Sequence, residues 1–233
     1  MTKILFVCHG NICRSPMAEF MLKDMVKKLG REDEFFIDSA ATSTEELGNS
    51  VYPPVRRLFA EHGLSCEGKT ARLLKRQDYD RFDLIIGMDA ENMRDLFRIC
   101  GRDREDKFRL FTGYIGSDRD IYDPWYTRDF QRSWDEIWAC CLALLDKLLG
   151  SAVVLDLSEC ETRGEMYAVL RREMLWQDWY GENLDALWDI LTGMPHYGTD
   201  FTLIPPEKGE LASYAGLMAA VFREAAEAEE EEE

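Results

Sequence analysis

Cys8 and Arg14 stand with five residues between them in the run V-C-H-G-N-I-C-R-S-P, a thiol that can attack an electrophile and a guanidinium that can clamp an oxyanion. Spacing alone is weak: with 7 Cys and 19 Arg in 233 residues, roughly 0.6 such pairs arise by chance, and Cys66 with Arg72 is a second match. Context separates the two. Cys8 ends an apolar run at 4–8, Gly10 and Asn11 tolerate the positive φ of a tight loop, and Ser15 and Pro16 suit a helix start, whereas Glu67 beside Cys66 would repel an anion. A strand end feeding a helix start aims backbone N–H groups and the positive end of the helix dipole at one point. A cysteine there is expected to ionise well below the ~8.5 of a free thiol, aided by those N–H groups, the Ser15 hydroxyl and Arg14. The chemistry this suits is phosphoryl transfer, Cys8 attacking phosphorus while Arg14 holds equatorial oxygens bidentately. The competing reading is a buried structural cysteine beside a surface arginine.

Such a transfer needs one group that acts first as acid, then as base. Asp123 in I-Y-D-P-W-Y is the candidate: proline fixes the loop direction, and the aromatics offer an apolar wall for a substrate ring. Asp-Pro is also an ordinary turn signal.

The elements that must position these groups alternate. Apolar runs at 4–8, 35–38, 83–88 and 108–112 read as strands; amphipathic stretches at 15–29, 54–62, 90–99 and 130–149 read as helices. That β/α alternation predicts a doubly wound parallel sheet with helices on both faces. A second, smaller α/β pattern follows: strand 152–157, helix 162–175, short helix 183–191, strand 201–204, helix 211–226. Charge marks the boundary. Residues 1–149 hold 23 basic and 26 acidic residues, while 150–233 hold 5 and 19 of the chain's total net charge of -17. The chain therefore divides into domains at 1–149 and 151–226, with an acidic tail at 227–233 that reads as frayed and solvated.

So acidic a chain lacks the basic footprint of a nucleic-acid binder. No apolar run reaches the length of a membrane span, and the first residues lack a secretory signal, so the expected compartment is the cytoplasm. Seven cysteines without repeated ligand spacing are expected as free thiols, with no metal and no cofactor.

The second segment has its own candidate face. On a helix opening near Asn183, Asp185 and Asp189 lie four apart, near Trp188 and Thr192. Like charges so placed weaken a helix and suit a cationic partner. The other reading is a solvated face whose Leu184, Leu187 and Leu191 pack inward.

The loop C-H-G-N-I-C-R-S-P, the segment D-S-A-A-T-S at 38–43, Met88-Asp89 and D-P-W-Y at 123–126 together resemble the low-molecular-weight protein tyrosine phosphatases over nearly all of residues 1–149. The resemblance implies a phosphotyrosine phosphatase I-like fold acting on phosphotyrosine in proteins. It also implies Cys8 as nucleophile, Arg14 as phosphate clamp and Asp123 as acid and base. His9, Gly10, Asn11, Ile12 and Cys13 complete the phosphate loop, with Ser15 supporting the leaving thiolate and Ser39 helping Asn11 hold the loop. Cys13 matches a second cysteine able to form a reversible disulfide with Cys8; simple packing is the alternative. Lys69 stands where many members carry a histidine that bonds the loop asparagine, and Glu45 where they carry a rim aromatic. Ile12 matches tyrosine-directed members, so phosphoarginine is the weaker reading. Arsenate reductases share the loop, but those most like it use a further pair of close cysteines, and only Cys100 lies in that region.

Y-G-E-N-L-D-A-L-W-D-I-L-T-G at 180–193 and V-F-R-E-A at 221–225 resemble barstar, an intracellular ribonuclease inhibitor, over 151–226. By that resemblance Asp189 enters a ribonuclease active site as a phosphate mimic, flanked by Trp179, Asp185, Trp188, Thr192, Gly193 and Glu224, and the implied partner is a basic ribonuclease. Trp179 replaces a tyrosine, and the expected last strand is missing.

Overall fold

A computed structural model describes residues 1–177 and 180–232. The chain separates into two compact units, Met1–Cys141 and Leu142–Glu233.

In the first unit, β1 (Thr2–Cys8) leads into α1 (Arg14–Lys28), β2 (Phe35–Ala41), α2 (Pro53–Glu61), the short α3 (Asp78–Arg81), β3 (Leu84–Gly87), α4 (Ala90–Cys100), β4 (Phe108–Leu110) and the one-turn α5 (Pro124–Thr127). A long helix, α6 (Phe130–Leu149), crosses the boundary between the units, which falls between Cys141 and Leu142. The four strands are parallel in the order β2-β1-β3-β4. Ile4, Leu5, Phe6 and Val7 are each fully buried, and because neighbouring strand residues point to opposite faces, both faces of β1 are covered. Leu5 and Val7 pack with Tyr79, Phe82, Ile85, Leu96 and Phe108, whereas Phe6 meets the Phe111 ring at 5.1 Å. The doubly wound sheet expected from the alternation is therefore present.

Strand order reverses at β1: the chain moves to β2 on one side and later to β3 and β4 on the other. Open parallel sheets place their crevice at the carboxyl ends of the strands at such a reversal. Cys8 is the last residue of β1.

In the second unit, β5 (Ala152–Asp156), α7 (Arg163–Glu173), α8 (Leu184–Gly193), β6 (Asp200–Ile204) and α9 (Glu210–Glu232) follow. β5 and β6 form a two-stranded parallel sheet, and among the described residues no strand follows α9. Alternation on β5 is plain: Val153 and Leu155 are buried, while Val154 is 54% exposed. Thr162 caps α7 in a capping box with Glu165, and the Asn183 side chain caps α8 at Ala186 N–H, 2.8 Å. Tyr167, Leu170, Trp176, Leu187, Ile190 and Met218 fill the core. Helix α9 runs on to Glu232, consistent with the high helix propensity of alanine and glutamate.

Candidate active site

The loop after β1 closes around the Cys8 sulfur. Of the two residues expected to take positive φ, only Asn11 does, at 56°. Gly10 is needed for a different reason, since a Cβ there would meet Glu46 Cγ at 3.1 Å. The left-handed backbone of Asn11 turns its N–H toward Cys8 Sγ at 3.3 Å, and three side-chain bonds hold it there. Its amide nitrogen donates to Ser15 Oγ (2.9 Å) and Ser39 Oγ (2.7 Å), and its amide oxygen accepts from Arg72 N–H (3.1 Å).

Donor and acceptor counting fixes the direction of this chain of bonds. Ser15 Oγ accepts from Asn11, so its one proton is available for Cys8 Sγ at 3.0 Å. Ser39 Oγ also accepts from Asn11 and donates to Glu19 Oε2 at 2.6 Å. The sulfur thus receives two donors, the arrangement that stabilises a thiolate. Glu19, only 3% exposed, is held by Lys69 Nζ at 2.6 Å and Lys23 Nζ at 2.5 Å.

Lys69 does not stand in for the histidine expected to bond Asn11. Its ammonium lies against Glu19, Asp38 Oδ1 (3.2 Å) and the Ser39 carbonyl (3.3 Å), while Arg72 N–H takes the Asn11 oxygen. Burial opposes ionisation of Asp38, yet Lys69 and Arg72 outweigh it and hold its carboxyl below the usual range.

Arg14 opens α1 and is 4% exposed. Its guanidinium sits between two carboxylates, Asp89 Oδ2 at 2.7 Å and Asp123 Oδ2 at 2.8 Å, and also donates to the Ile121 carbonyl at 3.3 Å. Burial works against its charge, but Cys8, Asp123 and Asp89 prevail and raise its pKa. Each carboxylate has a second task. Asp89 Oδ1 caps α4 at Asn92 N–H (2.6 Å), and Asp123 Oδ1 caps α5 at Trp125 N–H (2.9 Å). Asp123 therefore rests on Arg14, with Tyr122, Trp125 and Tyr126 lining the same cavity.

Cys8, Arg14, Asp89 and Asp123 all line one cavity of about 910 Å³, with Ile12 and Cys13 buried in the loop and the exposed His9, Trp125 and Tyr126 at the mouth. Tyr52 lies 5.4 Å from the Trp125 ring, and Arg128 covers both rings. His9 meets Glu45 at 3.2 Å. Burial, then the neighbouring Cys8, push the Cys13 thiol up, which disfavours its thiolate. Glu19, Arg72 and Asp89 were not singled out as site residues from sequence. The only local signal was for Asp89, a capping aspartate just past a strand end.

In the second unit, Asp185, Asp189, Thr192 and Gly193 are exposed on α8, Trp188 is half-buried, and Glu224 is exposed on α9. No cation lies within 4.0 Å of Asp185 or Asp189 among the described residues. Trp179 lies outside the described residues.

Comparison with known proteins also finds two parts. Residues 3–153 match the model of the low molecular weight phosphotyrosine protein phosphatases, and residues 151–233 match that of barstar, the barnase inhibitor. Low molecular weight protein-tyrosine-phosphatase YfkJ of Bacillus subtilis is 38% identical over 147 residues, covering 62% of this chain and 94% of that protein. The low molecular weight phosphotyrosine protein phosphatase of Gallus gallus is 39% identical over 149 residues, with the same coverage. The crystal structure of YfkJ superposes with a TM-score of 0.61 at 37% identity, covering 64% of this chain and 94% of that one. With the phosphate loop, its arginine and the matching fold in one domain, the chain belongs to the low molecular weight phosphotyrosine protein phosphatase family of enzymes, extended by a barstar-like C-terminal domain.

Proposed function

We propose that the first unit hydrolyses phosphotyrosine in proteins through a cysteinyl-phosphate intermediate. Cys8 Sγ attacks phosphorus as the bond from phosphorus to the phenolic oxygen breaks, and Asp123 delivers its proton to that oxygen. Water then attacks the phosphocysteine, Asp123 takes the water proton, and the bond from sulfur to phosphorus breaks, returning the thiolate and releasing phosphate. Arg14 holds the equatorial oxygens in both steps. An incoming phosphate competes with Asp123 for the same guanidinium, which frees the carboxyl to turn toward the leaving group, while Asp89 keeps Arg14 aimed. Trp125 and Tyr126 at the mouth offer ring faces to the substrate tyrosine.

The observation that carries this reading is the Cys8 sulfur at the end of β1, receiving Ser15 Oγ–H and Asn11 N–H in a cavity shared with Arg14 and Asp123. Rapid-quench labelling with a phosphotyrosine peptide should trap phosphate on Cys8 in the wild type, and Cys8→Ser should be inactive. Normal turnover by Cys8→Ser would refute it.

A second reading concerns residues 151–226: α8 presents its acidic face to a basic protein. Asp185 and Asp189, exposed and without a neighbouring cation, favour a cationic partner, and the match to the barnase inhibitor model suggests a small basic ribonuclease. Titration of a barnase-like nuclease should show weaker binding to Asp189→Ala than to wild type; equal affinity removes the claim. The absence of any helix long and apolar enough to cross a membrane among the described residues is compatible with action in the cytoplasm, where phosphorylated proteins and free thiols occur.

A further inference from the structure

Helix α4 starts beside Arg14 at Asp89 and ends at Cys100, so its two ends lie roughly 16 Å apart at 1.5 Å per residue. At the far end is a separate cavity of about 180 Å³, lined by Arg76, Asp80, Cys100, Arg102, Arg104 and Glu105, among others. A shallower depression shares Arg76 and Asp80 with it and adds Lys75. In so acidic a protein this clustering of cations stands out. None of the four basic side chains has a carboxylate within 4.0 Å among the described residues.

The nearby acids are already engaged. Asp78 accepts from Arg72 (3.1 Å) and Lys75 N–H (2.8 Å); Asp103 accepts from the Tyr79 hydroxyl (2.9 Å) and from two backbone N–H groups; Glu105 pairs with Lys107 (3.1 Å). Asp80, Asp103, whose hydrogen-bond donors are all neutral, and the carbonyl end of α4, about half a negative charge, oppose the four cations, leaving a local excess of about +1.5. The arginines are not on a loose loop. The Tyr79 hydroxyl accepts from Arg104 N–H (2.6 Å) and Glu105 N–H (2.8 Å) while donating to Asp103, which ties the loop carrying both arginines to the core.

We propose that this cavity binds a small phosphoanhydride anion of the pyrophosphate type. Guanidinium forks prefer to engage two oxygens each. Orthophosphate would have to share its four oxygens among three forks, whereas the six terminal oxygens of pyrophosphate supply two to each and its charge answers the local excess. The site is separate from the catalytic loop and does not depend on the phosphatase mechanism.

The probe is pyrophosphate itself, followed by titration calorimetry on the full chain. Arg14→Ala, which disables the catalytic loop, should still bind one equivalent, and adding Arg102→Ala and Arg104→Ala should weaken that binding by about tenfold or more. Asp80→Asn in the Arg14→Ala background should tighten it by about threefold. Arg102→Ala with Arg104→Ala in an otherwise native chain should keep full hydrolysis of p-nitrophenyl phosphate, which verifies folding, and should show the same weakening of pyrophosphate binding by about tenfold or more at this site. No binding to Arg14→Ala, equal affinity with and without the two arginines, or no gain from Asp80→Asn would each overturn the assignment.

Discussion

The buried Glu19–Lys69 pair gives the sharpest quantitative test of how the loop is held. Glu19 is 3% and Lys69 9% exposed at the side chain, and 2.6 Å separates their charged atoms. Glu19→Gln leaves the ammonium buried with Asp38, at 3.2 Å, as its remaining counter-charge. Breaking one side of such a pair costs about 3 kcal/mol, which for a unit of this size lowers the midpoint of thermal inactivation by about 6–12 °C. Lys69→Met alone leaves the glutamate with the more exposed Lys23 as its remaining cation and should cost somewhat less. Removing both charges together leaves no orphan, so Glu19→Gln with Lys69→Met should lose less than the two singles summed, with a coupling of about 1–3 kcal/mol. The assay is residual phosphatase activity after stepwise heating of the full chain, with turnover at 25 °C as a second readout. Because Glu19 receives the Ser39 proton at the head of the bonds that end on Cys8, turnover should fall by about tenfold in both variants lacking Glu19. Strictly additive losses in the midpoint would refute the pairing argument.

Other outcomes follow from the same geometry. The Asp38 carboxyl is depressed by Lys69 and Arg72 against the effect of burial, so its contribution to stability is complete above the ordinary carboxylate value of ~3.9 and fades as pH falls through the lower native value. The gap in urea midpoint between wild type and Asp38→Asn should hold from pH 7 to 5 and close below about 4; an equal gap at pH 3 contradicts this. Asp123→Asn should slow phenyl phosphate by about 10²-fold or more and substrates with good leaving groups far less; a uniform loss across leaving groups would remove its role as acid. Arg14→Lys keeps the charge but cannot bridge Asp89, Asp123 and phosphate as a planar fork, so kcat/KM should drop by at least about 10²-fold.

Much of this site was legible in the sequence because its parts are local. The apolar run ending at Cys8, the turn residues after it and the helix start at Ser15 lie within a dozen residues, where propensity and periodicity carry information. Thr162 and Asn183 announced their helices in the same way. What stayed hidden depends on register. Pairing of Phe6 with Ser39 across β1 and β2 brings Ser39 under the loop, and only then do Glu19, Lys69 and Arg72 converge on it. Lys69 could be placed near the loop by resemblance, but its partner could not, since a lysine donates in three directions and the choice among Glu19, Asp38 and Asn11 is made by packing. The ion pair of Asp123 was not legible because its partner, Arg14, lies more than a hundred positions away in sequence.

Asp89 and Asp123 each divide their two carboxylate oxygens between a helix cap and Arg14. Lengthening either side chain by one methylene would let glutamate reach the guanidinium or the cap N–H, but not both with the same backbone. Asparagine would keep the cap and surrender the ion pair. Neither position has a conservative replacement, and sequence drift here should be far slower than the modest chemistry of an exposed loop aspartate would suggest.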